Sequence, residues 1–400
     1  MSAQKIITEN ELRYLIYPER VAIESFETKL ADYLGVEYVV GTSMGRTALF
    51  ALLKAINLKE DDKVIVPAYI CEVVPNAILK AGGIPIFVDT NSDGYHISLP
   101  HLESLISKKT KAIIINHIFG YPEDVDKIKA IIKRTHQKIY LIEDVAHALG
   151  SECMKRKVGS IGDAAMFSFT KNMVNIGGGA IATNNRIIAT NARRFVKSSM
   201  NISFLNKLFF GMLSFFEMRR VGSRINNLFM NILETLPEKL RFLTKEYTNA
   251  LKIPDDMSMS RRQAYIASLQ LNNLDILNEQ RNHNQSILDN LIENGQQMDI
   301  LKPYVKNAKN VCTWYVIRIK EPNVKDKLIN LCRNNHVYLS KFWDPLPIEQ
   351  SKFYEQCPAD VPNAVNNARS TVVFKMNPNV SQSGLERIGN ILMYLECVVQ

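Results

Sequence analysis

Lys171 stands three residues after Ser168 and shortly before Gly177, Gly178 and Gly179, in the stretch DAAMFSFTKNMVNIGGGA (163–180). An ammonium group placed directly after the apolar run AAMFSF is costly to bury unpaired, so it needs either solvent or a chemical task. The serine supplies a hydroxyl, and the glycines let the backbone turn tightly or approach a ligand closely. Together these residues suit an anionic ligand tethered to an amine. The same pattern also fits a strand that ends in a solvated lysine and a glycine turn, so the choice rests on residues elsewhere.

Two further groups bear on it. The segment GTSMGRTALFALL (41–53) passes from a strand end through small residues into a helix. The unpaired N–H groups of a helix start attract phosphate, although many α/β turns share this form. In LIEDVAHA (141–148) an apolar strand ends in Glu143 and Asp144, with His147 three residues on. A carboxylate at a buried strand end must be paired, and a protonated ring nitrogen or the amides of a helix start would serve. An amine nucleophile, a carboxylate, a phosphate cradle and an aromatic or imidazole neighbour are the parts that pyridoxal phosphate chemistry requires.

The elements that must position these groups follow from periodicity. Between residues 36 and about 190 the apolar runs YVVGTS, KVIVPA, IPIFVD, KAIIINH and KIYLIED alternate with helix-period segments such as RTALFALLKAI and VDKIKAIIKRT. Strands that are apolar throughout, separated by helices, predict a mostly parallel sheet covered on both faces, an α/β architecture. Ligands gather at the carboxyl ends of such strands, where Thr42, Ser43, His117, Asp144 and Ser168 lie. Residues 196–250 differ: NISFLNKLFFGMLSFFEMRR pairs broad apolar faces with Lys207, Glu217, Arg219 and Arg220. This stretch predicts an amphipathic helix packed on the protein or on a dimer partner, with peripheral membrane contact through 200–245 as the alternative. After it, SRRQAYIASLQLNNLDILNEQRN predicts a helix leading to a smaller α+β lobe. In that lobe WYVIRI, VYLS and STVVFKM read as strands, and KDKLINLCRNN and SGLERIGNILMYLECV as helices. The expected division is a large domain over 1–250 and a small one over 251–400.

Composition narrows the function classes. The chain has 400 residues, 46% of them hydrophobic, enough to bury a sizeable core. Its net charge of +9 is spread along the chain and favours anionic small molecules. No nucleic-acid recognition motif appears. Six cysteines (Cys71, Cys153, Cys312, Cys332, Cys357 and Cys397) have no paired CxxC spacing, which speaks against a zinc ribbon or a disulfide framework and predicts no metal site. The opening MSAQKIITENELRY has no apolar signal core, so a cytoplasmic protein is expected. No G-x-G-x-x-G opens a helix, as a nicotinamide site would require.

The runs GTSMGRTAL, VIVPAYICEVVPNAILKAGGIPIFVD, TKAIIINHIFGYPEDVDKI, YLIEDVAHALG, VGSIGDAAMFSFTKN and GGGAIATNN, in this order, resemble the DegT/DnrJ/EryC1/StrS family of sugar aminotransferases. The resemblance extends to MSRRQAYIASLQLNNLDILNEQRN and the terminal lobe. It implies a fold-type-I enzyme dependent on pyridoxal 5'-phosphate, a homodimer that moves an amino group from glutamate to a nucleotide-linked keto-sugar for polysaccharide precursors. By the same resemblance Lys171 holds the cofactor as a Schiff base and shuttles a proton, and Asp144 pairs with the pyridine nitrogen. His147 stands where the family usually has Gln, near the phenolic oxygen. Gly45, Arg46, Thr47 and Ser168 meet the phosphate.

Departures from the pattern mark where this chain differs. Cys71 takes the place of the aromatic residue that stacks on the cofactor ring, so either Tyr69 or His117 covers that face or the ring is held more loosely. Asp256 replaces an asparagine that reaches the phosphate across the dimer, with Ser258 as its substitute. LSKFWDPLP (339–347) stands in place of a His-Tyr element. A dehydrating relative, which carries histidine in place of the lysine, and a non-catalytic binding member of the fold are the alternatives. Lys171 speaks against the dehydratase.

Overall fold

The computed structural model describes residues 23–173, 177–197, 257–292, 298–299, 305–322, 325–335, 337–350 and 359–399. The segment 198–256, with Asp256 and nearly all of the expected amphipathic helix and membrane contact, lies outside the described residues. The strands of the two larger sheets, in chain order, are β1 Tyr38–Thr42, β2 Lys63–Pro67, β3 Ile84–Val88, β4 Thr110–Asn116, β5 Tyr140–Asp144, β6 Ala164–Ser168, β7 Gly179–Thr183, β8 Met298–Asp299, β9 Trp314–Ile319, β10 Ser340–Lys341 and β11 Thr371–Lys375. The chain forms two compact units, Met1–Asn57 with Met166–Asn272, and Leu58–Ala165 with Asn273–Gln400.

In the first unit β1 and β7 pair antiparallel, with Thr42 opposite Gly179. The alternation of strands and helices predicts parallel neighbours, and this pair departs from it. The reason lies in the glycine run. Phe169 N donates to Gly178 O (3.0 Å), so the chain leaves the short helix Phe169–Asn172 and returns alongside β1 without a crossover. Helices Ile23–Leu34, Gly45–Ala55, Arg186–Lys197 and Arg261–Leu271 cover the strands. Arg186–Lys197 buries Ile188, Ala189, Ala192 and Val196 along one stripe, as an amphipathic helix must. A buried Glu27 ties two of these elements together: Oε1 accepts from Gly41 N (2.7 Å), and Oε2 pairs with Arg193 Nη2 (2.8 Å).

The second unit holds the predicted parallel sheet. Its strands run in the order β5, β4, β2, β3, each pairing parallel with the next. The Val- and Ile-rich interiors of β2 and β4 are fully buried, which is why these runs read as continuously apolar. Val125–Arg134 caps itself through Asp124, whose side chain accepts from Lys127 N (3.2 Å), and buries Val125, Ile128 and Ile131. A second sheet runs β8, β9, β11, β10, all antiparallel. Tyr315, Ile317, Val372, Leu328 and Leu392 form the core beneath it. Of the VYLS run only Ser340 is in a strand, paired through β10 to β11. The single helix expected after residue 258 breaks in two at Asn272 and Asn273, which serve as the C-cap of Arg261–Leu271 and the N-cap of Leu274–Leu291.

Candidate active site

Each unit carries its own cluster of the expected residues. In the first, β1 ends at Thr42 and the chain enters the helix Gly45–Ala55 through Ser43 and Met44. Met44 at the N-cap supplies no side-chain hydrogen bond to the helix start. Gly45 is required here: a Cβ on it would meet Ser168 Cβ at 2.8 Å, because the end of β6 packs directly on the helix start. Thr47 Oγ1 and Ser43 Oγ lie 3.2 Å apart, and the buried Arg46 guanidinium donates to Met44 Sδ (3.2 and 3.1 Å). The glycine run wraps the same turn. Gly177 has φ +74°, and a Cβ on it would meet Ser43 O at 2.8 Å and Gln263 Nε2 at 2.7 Å.

Lys171 lies in the short helix Phe169–Asn172, half-buried, and its ammonium has no hydrogen-bond or ion-pair partner among the described residues. That helix is anchored by Phe169, fully buried and edge-on to Phe26 at 5.4 Å. Ser168 Oγ lies 3.2 Å from Thr170 Oγ1. Ser258 joins the group through a bridge to Thr42, and its hydroxyl donates to Val196 O (3.1 Å). Gly45, Arg46, Thr47, Ser168, Lys171 and Ser258 are thus gathered around the end of β1.

The second unit's cluster sits at the carboxyl ends of β4 and β5. Asp144, 9% exposed, accepts from Ala146 N (2.9 Å), an arrangement that fixes the carboxylate at the strand end. His147 Nδ1 accepts from Phe119 N (3.3 Å). An acceptor nitrogen carries no proton, so the neutral ring must hold its proton on Nε2 and present a donor there. Thr313 Oγ1 donates to His147 O (2.7 Å) and holds the backbone. Cys71 is half-buried, just before the helix Val73–Ala81.

The buried pair anticipated for this strand end belongs to Glu143 rather than Asp144. Glu143 Oε2 accepts from His117 Nε2 (2.9 Å) and Gly159 N (2.8 Å), and Oε1 from Ile161 N (2.8 Å) and Gly162 N (2.6 Å). His117 Nδ1 accepts from Glu123 N (3.0 Å), so this imidazole is neutral with its proton on Nε2. Burial alone would raise the Glu143 pKa. The hydrogen bond from His117 and the Gly159 and Gly162 amides outweigh it and hold the carboxyl below its ordinary value. Glu123, equally buried, has few such donors, and burial pushes it up to about 8. Both nitrogens of His117 are committed to this network. Tyr69 stacks on Tyr95 at 5.4 Å and donates to Phe342 O (3.1 Å).

Sequence reasoning missed the aromatic side chains around His147. Phe119, Trp314, Phe342 and Trp343 all place ring centroids within 6.2 Å of it. Only the oddity of LSKFWDPLP signalled any of them. Two buried polar atoms nearby have no hydrogen-bond partner among the described residues: Trp314 Nε1, whose ring adjoins His147, and Asn116 Oδ1, in register with Asp144 across β4 and β5. Asn116 Nδ2 faces Tyr69 O (3.4 Å), which fixes the amide's orientation. A donor and an acceptor left unmatched beside Asp144 and His147 suit a polar ligand there.

Comparison with known proteins places this arrangement. The family model described as the DegT/DnrJ/EryC1/StrS aminotransferase family matches residues 18–393. The chain belongs to this family. Among its relatives is the GDP-perosamine synthase of Escherichia coli O157:H7, 38% identical over 170 residues, which cover 42% of this chain and 46% of that protein. The chain thus spans less than half the length of the first curated relatives it matches. The spore coat polysaccharide biosynthesis protein SpsC of Bacillus subtilis is 24% identical over 92% of this chain and 87% of its own. The putative sugar aminotransferase Spr1654 from Streptococcus pneumoniae, solved in its PLP form, superposes with a TM-score of 0.79 at 18% identity over 98% of this chain and 97% of that one. The fold is the fold-type-I architecture of these aminotransferases, a mostly parallel sheet with helices and smaller sheets.

Proposed function

We propose that the protein is a pyridoxal 5'-phosphate-dependent aminotransferase that moves an amino group from glutamate to a nucleotide-linked keto-sugar during polysaccharide precursor synthesis. The observation that carries this reading is Lys171: a half-buried amine without a partner among the described residues, three residues beyond the serine that packs on a side-chain-uncapped helix start. In this reading residues 1–250 form the cofactor domain and 251–400 the smaller lobe of a cytoplasmic homodimer.

The residues present fit the cofactor's chemistry. Its phosphate needs amide and hydroxyl donors, which Gly45, Arg46, Thr47 and Ser168 offer around one turn, with Ser258 joining them when its hydroxyl turns from Val196 O. Its ring needs a carboxylate and a donor, which Asp144 and His147 offer, beside the unmatched Asn116 Oδ1 and Trp314 Nε1. When bound, pyridoxal phosphate acts as the electron sink that lets an amino group leave one carbon and join another.

The chain's own groups do the rest. Lys171 Nζ, neutral when it acts, tethers the cofactor and then takes and returns the proton that moves between carbons. The Asp144 carboxylate keeps a proton on the ring nitrogen. His147 donates from Nε2 to the phenolic oxygen, the same polarity of hydrogen bond that a glutamine amide would give. The half-buried Cys71 offers no ring face, so the aromatic side chains around His147 supply the apolar surface of the pocket.

Two measurements test the proposal. Borohydride treatment of the yellow protein should fix the cofactor to the peptide containing Lys171; label on another lysine defeats the assignment. With glutamate and a panel of nucleotide keto-sugars, 2-oxoglutarate should appear with at least one substrate. A silent panel with Lys171 correctly labelled would leave the cofactor reading standing and defeat the substrate class.

A further inference from the structure

His147 is held by two residues whose backbones are both unusual. Phe119 and Trp343 adopt φ values of +56° and +53°, in the left-handed region that bulky side chains avoid. Such conformations persist only where the surroundings impose them, and they gather at functional sites. Both residues direct a ring to the same imidazole. The Phe119 ring lies 6.2 Å from His147 at an interplanar angle of 13°, and the Trp343 ring 5.8 Å away at 17°. Both are near-parallel within the range of aromatic contact.

The loop that presents Trp343 is pinned on both sides. On one side Tyr69 Oη donates to Phe342 O (3.1 Å), and the Phe342 ring packs on Phe119 (5.0 Å) and Trp314 (5.3 Å). On the other, the buried Lys325 pairs with Asp344 and donates to Ala368 O (2.9 Å). Trp343 is therefore set against His147 by contacts that do not involve His147 itself.

We propose that Trp343 is a positioning residue: its ring, acting with Phe119, fixes the plane of the His147 imidazole and so aims the Nε2 proton. Phe119 N fixes the tautomer by occupying Nδ1. The two near-parallel rings face the imidazole plane directly, whereas Trp314 and Phe342 meet it at about 60°, so Trp343 and Phe119 bear most directly on its tilt. The catalytic consequence rests on the role given to His147 above; the positioning itself does not.

The test uses the full-length chain, first freed of cofactor and then reloaded. Trp343→Gly removes the ring while accepting the left-handed backbone, so the fold is expected to survive. Nitrogen-15 spectra of the cofactor-free wild type should show one His147 tautomer with Nε2 protonated. In Trp343→Gly that signal should broaden as the ring tilts away from Phe119 N, whereas Trp343→Phe should keep it. After reloading, Trp343→Gly should lose kcat by up to about 100-fold with little change in KM, since a misaimed donor costs orientation rather than binding. Trp343→Phe should restore most of kcat. An unchanged His147 spectrum in Trp343→Gly, or a Phe variant as impaired as the Gly one, overturns the proposal. A changed spectrum with wild-type kcat would uphold the positioning and remove His147 from the chemistry.

Discussion

The two units gather their candidate site residues with different materials. The first uses backbone: an uncapped helix start, a glycine whose missing Cβ lets Ser168 approach, and Gly177 at a φ of +74° folded over Ser43 O. The second uses side chains drawn from four distant stretches, with His147 among Phe119, Trp314, Phe342 and Trp343. Backbone sites are written locally and tolerate almost no added atom. Side-chain sites depend on tertiary packing and can be retuned one ring at a time.

The sharpest way to separate the two is to remove the one indispensable side chain of the backbone-built cluster. Lys171→Ala should lower turnover by at least about 1,000-fold, because general acid–base help and the covalent tether are lost together. The melting temperature of the cofactor-free protein should barely move, since the half-buried Lys171 amine makes no described contact to lose. Single-turnover assays beside thermal melts check both. A variant with more than a few per cent of wild-type turnover would show that the chemistry does not run through the first unit's amine.

This contrast also explains what could be read from the sequence. The helix start, the lysine and the glycine run lie in two short stretches whose residue types each carry a local physical meaning, so their grouping was legible without a structure. The parallel strands β2 to β5 were equally plain, because both of their faces are buried and their runs are apolar throughout. The antiparallel return of β7 was not, since the glycines that permit it fit several turns. Nor was the pairing of Glu143. Adjacent carboxylates at a strand end look alike in sequence, and only the pleat decides which meets His117 and the amides of Gly159, Ile161 and Gly162. The ring cluster was least legible. Phe119 and Phe342 are 223 positions apart (342 − 119), and nothing periodic links them.

A methyl group tests the backbone-built cluster from its other side. Gly45→Ala places a Cβ at 2.8 Å from Ser168 Cβ and 3.3 Å from Phe167 O, so either β6 or the helix start must shift. Overpacking of this kind costs about 1–3 kcal/mol. Because the displaced turn is the one assigned to the phosphate, cofactor affinity should fall about tenfold in parallel. Denaturant titration and cofactor binding by absorbance measure the two. Equal losses from a comparable substitution in the ring cluster, such as Trp314→Phe, would erase the distinction drawn between the units.

The smallest effect expected lies in the second unit and reads its side-chain electrostatics directly. Glu123 is buried, accepts from Ile97 N (2.9 Å) and has a pKa raised by burial from 4.5 to about 8. Between those values the folded state binds a proton that the unfolded chain releases, so this carboxyl's contribution to stability declines as pH rises through the window. Glu123→Gln keeps an acceptor for Ile97 N and removes the titration. The variant should match the wild type near pH 4.5 and melt a few degrees higher at pH 8, with the gap opening across the interval. Glu143 shows the opposite sign: its pKa is lowered, so its contribution is present above about 4.5 and is lost as pH falls through its folded value. Two buried carboxyls, Glu143 bonded to the His117 ring and Glu123 joined to it only through its backbone amide, therefore tilt stability in opposite directions. Parallel melting curves for wild type and Glu123→Gln from pH 4.5 to 8 would mean that burial does not raise the Glu123 carboxyl.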